Sequence, residues 1–438
     1  MSTEKNGIID RFKAFRESRT AVLIVVTLAI FTDMLIYGIV VPILPSIVEK
    51  KLHGDSTTVG LLMGSFAAGL LGATPIFALL SDRYKKRKLP MLISLLCLCI
   101  ACALFPLANT FWQFLIIRII QGISAAASWV IGVAMLADAF PPHQFGVAVG
   151  TAMGGHGIGF AIGPTIGGLL FENSSDSSPF ILCSVLCFFD FLVRLCIAPS
   201  DAQMREMSNA IEEATRELQD STEKTPEADT ENVDNAMAEQ KPLNMLTMLK
   251  HWPIIKCFLI TLLSSSAYAC VEPTLTIYLG EEFGYSTGTI GLLFIALVVP
   301  NVFIAPISGW LSDRFGRMFI CSIGLTAFSA IITFLAVPKA AWSLVIVMML
   351  CGASQSMVMT PVQPELGDYI RKLGGGAFAQ AFGLFNMAFS GGMFIGPIIG
   401  GIAYDRIGFL FTLLIFAIVN ALLIPFIIAK PRRNPVIS

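Results

Sequence analysis

The chain has 438 residues, of which 55% are hydrophobic and 13% are charged, and its formal net charge at pH 7 is −1. A water-soluble domain carries about 25% charged residues, so this composition excludes an ordinary soluble protein, and nothing in it suggests a nucleic-acid partner. A bilayer core needs roughly 20 apolar residues per helical span, and runs of that length recur along the chain. Continuous apolar runs such as 91–105 and 409–429 favour helices over alternating barrel strands.

The predicted spans fall into two groups of six. The first group covers 20–48, 58–80, 89–108, 110–138, 145–171 and 179–199. The second covers 252–280, 287–311, 317–337, 341–369, 376–403 and 408–429. We therefore expect an all-α membrane protein with an N-terminal six-helix half, 1–199, and a C-terminal six-helix half, 251–438. The acidic residues 200–250 between them contain almost no aromatic side chains, which predicts a largely disordered cytoplasmic linker.

Lys and Arg residues predict the orientation, because cytoplasmic loops carry an excess of them. With the N-terminus inside, 22 of the 29 Lys and Arg residues fall in cytoplasmic segments and four fall in external loops. Both termini are therefore expected in the cytoplasm. The membrane is expected to be the plasma membrane or that of an acidic intracellular compartment.

An internal repeat relates the two groups of spans. Leu80-Ser81-Asp82-Arg83 recurs 231 residues later at 311–314, and Gly163-Pro164-x-x-Gly167-Gly168 recurs 233 residues later at 396–401. Several landmarks at nearly one offset indicate two homologous halves in the same orientation. Parallel repeats of this kind, with the binding site between the halves, are a plan of secondary transporters.

Two loop segments resemble a known family. Ser81-Asp82-Arg83-Tyr84-Lys85-Lys86-Arg87-Lys88 resembles the loop signature of the major facilitator superfamily, and Gly309-x-x-Ser312-Asp313-Arg314-Phe315-Gly316-Arg317 is the better match. The resemblance covers essentially the whole chain. It implies the major facilitator fold, with 12 transmembrane helices in two pseudo-symmetric halves, and transport by alternating access.

The first predicted span narrows the resemblance. Phe31-Thr32-Asp33-Met34-Leu35…Val41-Pro42-Ile43-Leu44-Pro45 resembles the drug:proton antiporter family of twelve spans, and in particular its vesicular amine transporter branch. The sequence departs from that branch at two positions. Members of the branch carry a lysine in span 2 and an aspartate in span 11, and this chain has Phe66 and Asn386 at those positions. The full vesicular mechanism, and an amine as substrate, therefore do not follow from the resemblance.

Ionisable side chains within the spans are the first candidates for function, because each costs about 2.5–3.5 kcal/mol to insert at mid-membrane. Asp33 in span 1 and Glu272 in its repeat partner, span 7, are expected to face the central cavity from opposite halves. Burial disfavours the charged form of a carboxyl group, which suits both acids to proton exchange. Asp33 and Glu272 are thus predicted to couple protons or bind substrate, as the resemblance also implies. The structural alternative is an acid satisfied by neighbouring hydroxyl groups.

Arg118 is the third such candidate. It stands in Arg118-x-x-Gln121-Gly122, which resembles a motif of proton-coupled members of the superfamily. A buried guanidinium needs a carboxylate or several carbonyl groups, and Asp33 is a plausible partner. The alternative is a fixed ion pair that locks spans 1 and 4 together.

The glycine-rich run in span 5, Gly155-His156-Gly157-x-Gly159-x-x-x-Gly163-Pro164-x-x-Gly167-Gly168, resembles the motif associated with antiporters. Small residues four apart let helices pack closely, and Pro164 permits a bend. The residues alone therefore predict a hinge or tight packing at Gly159, Gly163, Pro164, Gly167 and Gly168. Antiport is implied by the resemblance only. His156 titrates in the physiological range when unperturbed, although a lone histidine in a helix is more often structural.

Two further groups of residues complete the predicted site. Polar side chains within the spans predict the lining of the cavity: Tyr37, Gln121, His156, Tyr268, Asn301, Glu365 and Asn386. Charged residues repeated at the cytoplasmic helix ends predict a latch of ion pairs and helix-end contacts that closes the inner gate: Asp82, Arg83, Asp138, Asp313, Arg314 and Asp368. Asp190 and Arg194, four residues apart in span 6, are predicted to pair with each other.

These features together predict a monomeric, proton-coupled antiporter that exports small organic molecules, cationic or amphiphilic, with protons and the substrate as its partners in the bilayer. One alternative is a carrier of organic acids or metabolites that uses Arg118 for the anion. A sensor without flux and a membrane-embedded enzyme are the other two. Against an enzyme, the four histidines have no metal-ligand spacing and no Walker A pattern offers an ATP site, so neither a metal nor a cofactor is predicted.

Overall fold

The computed structural model describes residues 15–84, 86–223, 245–338, 340–372 and 378–428, and these ranges are helical apart from short turns. Six helices form the first group: α1 (Arg19–Ile47), α2 (Ser56–Tyr84), α3 (Lys88–Leu104), α4 (Phe111–Ala139), α5 (Pro142–Asn173) and α6 (Ser178–Ile197). Helices α7 (Asp201–Glu223) and α8 (Met245–Met248) follow. The last group is α9 (Trp252–Phe283), α10 (Thr287–Phe315), α11 (Arg317–Phe334), α12 (Ala341–Lys372), α13 (Phe378–Ala421) and α14 (Ile424–Ile428).

The number of spans depends on one glycine. Among the described residues, 11 helices are long and apolar enough to cross a membrane, and the last covers 45 residues, Gly383–Ile427. A continuous helix of that length would measure about 68 Å, twice the thickness of a bilayer core. Gly408 interrupts it with φ 78° and ψ 173°, a conformation that glycine adopts without strain. With this break the helices supply the twelve predicted spans of an all-α membrane protein.

The bundle has two ends, which we name by the chain. The linker end is where α6 ends and α9 begins, and the far end carries the turns that follow α1, α5 and α9. Within each half the closest packing is between α1 and α5 and between α9 and α13. Between the halves, α2 packs against α13 and α5 packs against α10. Two helices of each half therefore form most of the interface.

This interface is closed at the far end and open at the linker end. Gly168 and Gly150 lie on the same face of α5, five helical turns apart. Gly168 touches the backbone of Thr287 on α10, whereas no described neighbour lies within 4 Å of where a Cβ of Gly150 would be. The hydrogen bonds between described residues of the two halves all lie between the level of Tyr37 and the far end. The two halves thus diverge toward the linker end.

The structure corrects the prediction that residues 200–250 are largely disordered, because 201–223 form α7. Ser200 and Gln203 make a capping box, in which the Ser200 amide donates to Gln203 at 2.8 Å and the Gln203 amide donates to the Ser200 hydroxyl at 3.4 Å. Met204 and Met207 pack against the apolar cluster at the linker end of the first half. A prediction from acidic composition alone does not detect this cap or the apolar face of α7. The rest of the predicted linker, residues 224–244, lies outside the described ranges.

Candidate functional site

A buried hydrogen bond joins the two halves inside the bundle. The hydroxyl of Tyr37 on α1 donates to Oε2 of Glu272 on α9 at 2.5 Å. Each residue is only 3% exposed. Tyr37 packs against the ring of Phe66, with 5.0 Å between the ring centroids. Glu272, predicted as a coupling residue, therefore faces the first half through Tyr37, predicted as a lining residue.

Arg118 on α4 lies against the same aromatic rings. Its guanidinium carbon is 5.0 Å from the centroid of the Phe66 ring and 5.7 Å from that of Tyr37, within range of a cation–π interaction. Its Nη1 donates to Gln121 at 3.2 Å and its Nε to the Leu62 carbonyl at 3.3 Å. Among the described residues Arg118 forms no ion pair with a carboxylate. Aromatic faces and neutral acceptors therefore surround this fully buried cation.

Asp33 occupies a separate cluster inside the first half. It is 6% exposed, and its carboxyl group is surrounded by Ser128 on α4 and by Arg194 and Asp190 on α6. Arg194 is paired with Asp190 through two hydrogen bonds, one of them Nε to Oδ1 at 3.0 Å, which confirms the predicted pair. Oδ1 of Asp33, Oγ of Ser128 and Nη1 of Arg194 are all buried, and none of them has a hydrogen-bond partner among the described residues.

This placement corrects two expectations from the sequence. The sequence makes Asp33 a plausible partner of Arg118 and predicts that Asp33 and Glu272 face the central cavity from opposite halves, but Arg118 has other neighbours and Tyr37 lies opposite Glu272. The physical reason is the rotation of α1, which turns Asp33 toward α4 and α6 of its own half. Hydropathy defines the ends of α1 but carries no information on this rotation.

The second half contains a neutral counterpart of the Asp33 cluster. Ser264 lies 231 residues after Asp33, and Asn420 lies 230 residues after Asp190. The Ser264 hydroxyl donates to Oδ1 of Asn420 at 3.4 Å, and Nδ2 of Asn420 donates to the Phe416 carbonyl at 2.9 Å. The same two helix positions therefore meet in both halves, but only the first half places charges there.

The remaining predicted lining residues divide into those near Glu272 and those away from it. Tyr268, one turn before Glu272, is the repeat counterpart of Tyr37 and lies close to Asn301. Gln121 holds Arg118, as described above. Asn386 is 7% exposed, and its backbone carbonyl accepts a hydrogen bond from the Ser390 hydroxyl at 2.8 Å. His156 lies edge-on to Trp129, and Glu365 lies near Cys257 and Cys321 in the second half.

Among the described residues, the aspartates of the predicted cytoplasmic latch form one ion pair in the first half and two, both to Arg317, in the second. Arg87 donates through Nε to Oδ2 of Asp138 at 2.9 Å. Arg317 pairs with Asp368 and lies 3.6 Å from Asp313. Arg87 and Arg317 are 230 residues apart, as are the two aspartates, so the pairs are repeat-related. Each pair lies within its own half, and that these residues close an inner gate stays a prediction.

The arginines that form these ion pairs are Arg87 and Arg317 rather than the predicted Arg83 and Arg314. Arg83 is exposed and lies over the ring of Tyr84. Arg314 lies between Trp310 and Phe315. The side chain of Asp82 is outside the described residues. Arg87 and Arg317 share a repeat offset of 230 residues and Arg83 and Arg314 share one of 231, so the repeat alone does not distinguish the paired arginines.

The glycines of the α5 motif lie where the sequence predicted tight packing. Gly159, Gly163 and Gly167 contact the backbone of α1, at Phe31, Leu35 and Ile39. Gly168 and the carbonyl of Pro164 contact α10 of the other half instead. Helix α5 therefore packs on its own half through one glycine face and on the opposite half through the neighbouring face.

Comparisons with known proteins place these features in one family. The family model described as Major Facilitator Superfamily matches residues 26–253 and 257–438. The MFS-type transporter C18.02 of Schizosaccharomyces pombe is 26% identical over 416 residues, covering 90% of this chain and 92% of that protein. The chromaffin granule amine transporter of Rattus norvegicus is 25% identical over 378 residues, 85% of this chain and 66% of that protein.

Solved structures agree on the fold. The human organic anion transporter MFSD10 (TETRAN) superposes with a TM-score of 0.65 at 16% identity, covering 93% of this chain and 99% of that one. The nucleoside transporter NupG superposes with a TM-score of 0.68 at 12% identity, covering 93% and 98%. At such identities these structures support the fold alone.

Proposed function

The chain belongs to the Major Facilitator Superfamily, and we propose that it is a proton-coupled antiporter that exports small organic cations or amphiphilic molecules by alternating access. The family and the relatives named above are transporters, so the chain is a multi-pass membrane transporter and not an enzyme. The observation that carries the finer proposal is the buried carboxylate of Glu272, held by Tyr37 across the two halves.

The surroundings of Glu272 suit an organic cation. Two aromatic side chains, Tyr37 and Phe66, already hold the guanidinium of Arg118 at cation–π distance beside this carboxylate. A substrate cation entering from the open linker end would meet the same carboxylate and aromatic groups. One of the relatives reported above, the chromaffin granule amine transporter, is named for amine transport, which favours the same substrate class.

Two features of Glu272 would couple transport to protons: a proton competes with the substrate cation for its carboxylate, and its hydrogen bond from Tyr37 joins the halves. A substrate cation and a proton both neutralise a carboxylate, so both compete for Glu272. The hydrogen bond from Tyr37 is strongest when Glu272 is ionised. Neutralising Glu272 therefore weakens a contact between the halves and favours their movement. Because the Lys and Arg distribution places the linker end in the cytoplasm, the conformation described here would load substrate from the cytoplasm.

We assign the second proton site to Asp33. The titratable groups that face it are Arg194 and Asp190 on α6 and Cys102 on α3. Ionised Asp33 needs donors, and the hydroxyl of Ser128 and Nη1 of Arg194 are buried and have no hydrogen-bond partner in the described part of the chain. Asp190 holds Arg194 in place. Asp33 can thus release and regain a proton while its charge is balanced inside the first half.

A carrier of organic anions is the second candidate function. Arg118 is fully buried and has no carboxylate partner among the described residues, so an anionic substrate would supply one. In that case the anion would bind beside Phe66 and Gln121, and Glu272 would repel it.

Transport in proteoliposomes with an imposed pH gradient separates the two candidates. We expect the gradient to move cationic amphiphiles and not organic anions, and Glu272→Gln to abolish this movement. Glu365→Gln is the matched control, because Glu365 is a half-buried acid at the linker end of the second half. Movement of anions that requires Arg118, with Glu272→Gln active, would replace the cation proposal with the second candidate.

A further inference from the structure

Two exposed carboxylates connect the halves at the far end. Glu172, in the last turn of α5, accepts hydrogen bonds through Oε2 from the Ser286 hydroxyl at 2.7 Å and the Gly288 amide at 3.0 Å. These donors are at the N-terminus of α10 in the other half. The carboxylate of Glu172 therefore sits on the unpaired amides and positive dipole end of that helix.

Asp405 makes the equivalent contact in the opposite direction. It accepts hydrogen bonds from the backbone amides of Ser56 at 3.1 Å and Thr57 at 2.7 Å, and from the Thr57 hydroxyl at 2.5 Å. These groups form the N-terminus of α2 in the first half. Asp405 follows Glu172 by 233 residues, and Gly288 follows Thr57 by 231. The two contacts are therefore repeat-related: a carboxylate of the first half binds a helix N-terminus of the second, and a carboxylate of the second half binds a helix N-terminus of the first.

Each helix N-terminus also has a cap from its own chain segment, so neither needs the carboxylate of the other half in order to fold. The Ser286 hydroxyl accepts from the Thr289 amide at 3.3 Å. Asp55 accepts from the amide and hydroxyl of Thr58 at 2.9 and 2.8 Å, and these bonds hold the pKa of Asp55 below its usual range. Glu172 and Asp405 thus contribute to the contact between halves rather than to the helices they cap.

Glycines beside each carboxylate let the backbones touch. Gly168 contacts the Thr287 carbonyl, and its repeat counterpart Gly401 contacts the Ser56 carbonyl. Both contacts exist only while α5 and α10, and α2 and α13, stay closely packed at this end. Since the halves diverge at the linker end, closure at the far end is one of two states of the bundle.

We infer that Glu172 and Asp405 form a two-part latch, repeated by the pseudo-symmetry, that holds the far end closed and sets how often the protein opens there. The latch goes beyond the proposed function, because it acts on any substrate and on any coupling ion. Removing either carboxylate leaves both helices capped and removes one of the two polar contacts that hold this end. The bundle then spends more time open at the far end and less time open at the linker end.

Two introduced cysteines report how accessible each end of the bundle is to solvent, with the protein in nanodiscs. Val41→Cys reports on the far end, because Val41 is buried one turn beyond Tyr37, toward the far end of α1. Gly150→Cys reports on the linker end, where Gly150 faces open space. Labelling with a hydrophilic maleimide is compared with the chain that carries only the ten native cysteines.

Glu172→Gln and Asp405→Asn are the test variants, and two carboxylates of the same end provide matched controls. Asp176 pairs with Lys50 at 3.3 Å within the first half, and Glu281 accepts from the Tyr404 hydroxyl at 2.7 Å within the second half. The controls Asp176→Asn and Glu281→Gln remove the same charge without touching the interface between the halves.

We expect each test variant to raise labelling at position 41 about fivefold, the factor typical of one lost helix-cap contact, and the double variant to raise it about 25-fold. Labelling at position 150 should fall at the same time, and the controls should change neither rate. Faster labelling at both positions would mean that the fold had loosened. An unchanged labelling rate at position 41 would mean that the two carboxylates do not keep the far end closed. Either result would overturn the latch.

Discussion

The two halves share their architecture but not their buried chemistry. Both carry the same ion pair at the linker end, Arg87–Asp138 and Arg317–Asp368. Yet Asp33 and Asp190 of the first half correspond to the neutral pair Ser264 and Asn420 in the second. The repeat therefore preserves contacts that hold the bundle, while these two helix positions carry charge in the first half only. In the proposed mechanism, proton handling therefore lies in the first half, whereas Glu272, the proposed substrate acid, comes from the second.

The largest expected effect is the loss of stability when the buried ion pair of α6 is broken. Arg194→Ala leaves Asp190 buried and unpaired, which typically costs about 3–5 kcal/mol, so little folded protein is expected. In the second half Asn420→Ala removes neutral hydrogen bonds, worth about 1 kcal/mol each. Thermal unfolding in detergent measures both. The double variant Asp190→Asn/Arg194→Gln, which makes the first half neutral like the second, should recover most of the loss. Equal losses for Arg194→Ala and Asn420→Ala would contradict the comparison.

A smaller effect is expected at the two repeat-related tyrosines. Tyr37→Phe removes a hydrogen bond to a buried carboxylate, typically worth about 1.5–3 kcal/mol, so substrate affinity or transport rate should change at least tenfold. Tyr268→Phe, one turn from Glu272 but without that bond, is the matched control and should change either parameter about twofold. Separate values of KM and kcat in proteoliposomes distinguish binding from movement. A larger effect for Tyr268→Phe would show that the bond to Tyr37 is incidental.

The sequence predicted the spans because hydropathy and the repeat constrain them strongly. It flagged Asp33, Glu272 and Arg118 because charge is costly inside a membrane, but it could not show which helices each residue faces. A rotation of α1 therefore separated Asp33 from its expected partner. Glu172 and Asp405 escaped notice because they stand at helix ends, where acids are common. Only their shared offset of 233 residues, the same as that of the glycine motif, distinguished them.

The smallest expected effect concerns the donor beside Asp33. Ser128→Ala removes one hydroxyl that is free to stabilise the ionised carboxylate, so Asp33 should hold its proton more tightly. The midpoint of the pH dependence of transport should therefore rise by about half a unit, the amount expected from one modest hydrogen bond. Ser65→Ala is the control, because the buried Ser65 hydroxyl donates to the carbonyl of Leu62 in its own helix at 2.8 Å. An unchanged midpoint in Ser128→Ala would remove Ser128 from the proton site.

The division of roles between Asp33 and Glu272 is the central claim, and exchange in proteoliposomes tests it most directly. The substrate moved by the pH gradient is measured twice, once as gradient-driven transport and once as exchange of labelled for unlabelled substrate without a gradient. We predict that Asp33→Asn keeps exchange and loses the response to the gradient, whereas Glu272→Gln loses both. Full gradient-driven transport by Asp33→Asn, or exchange by Glu272→Gln at the rate of the unaltered protein, would contradict the account.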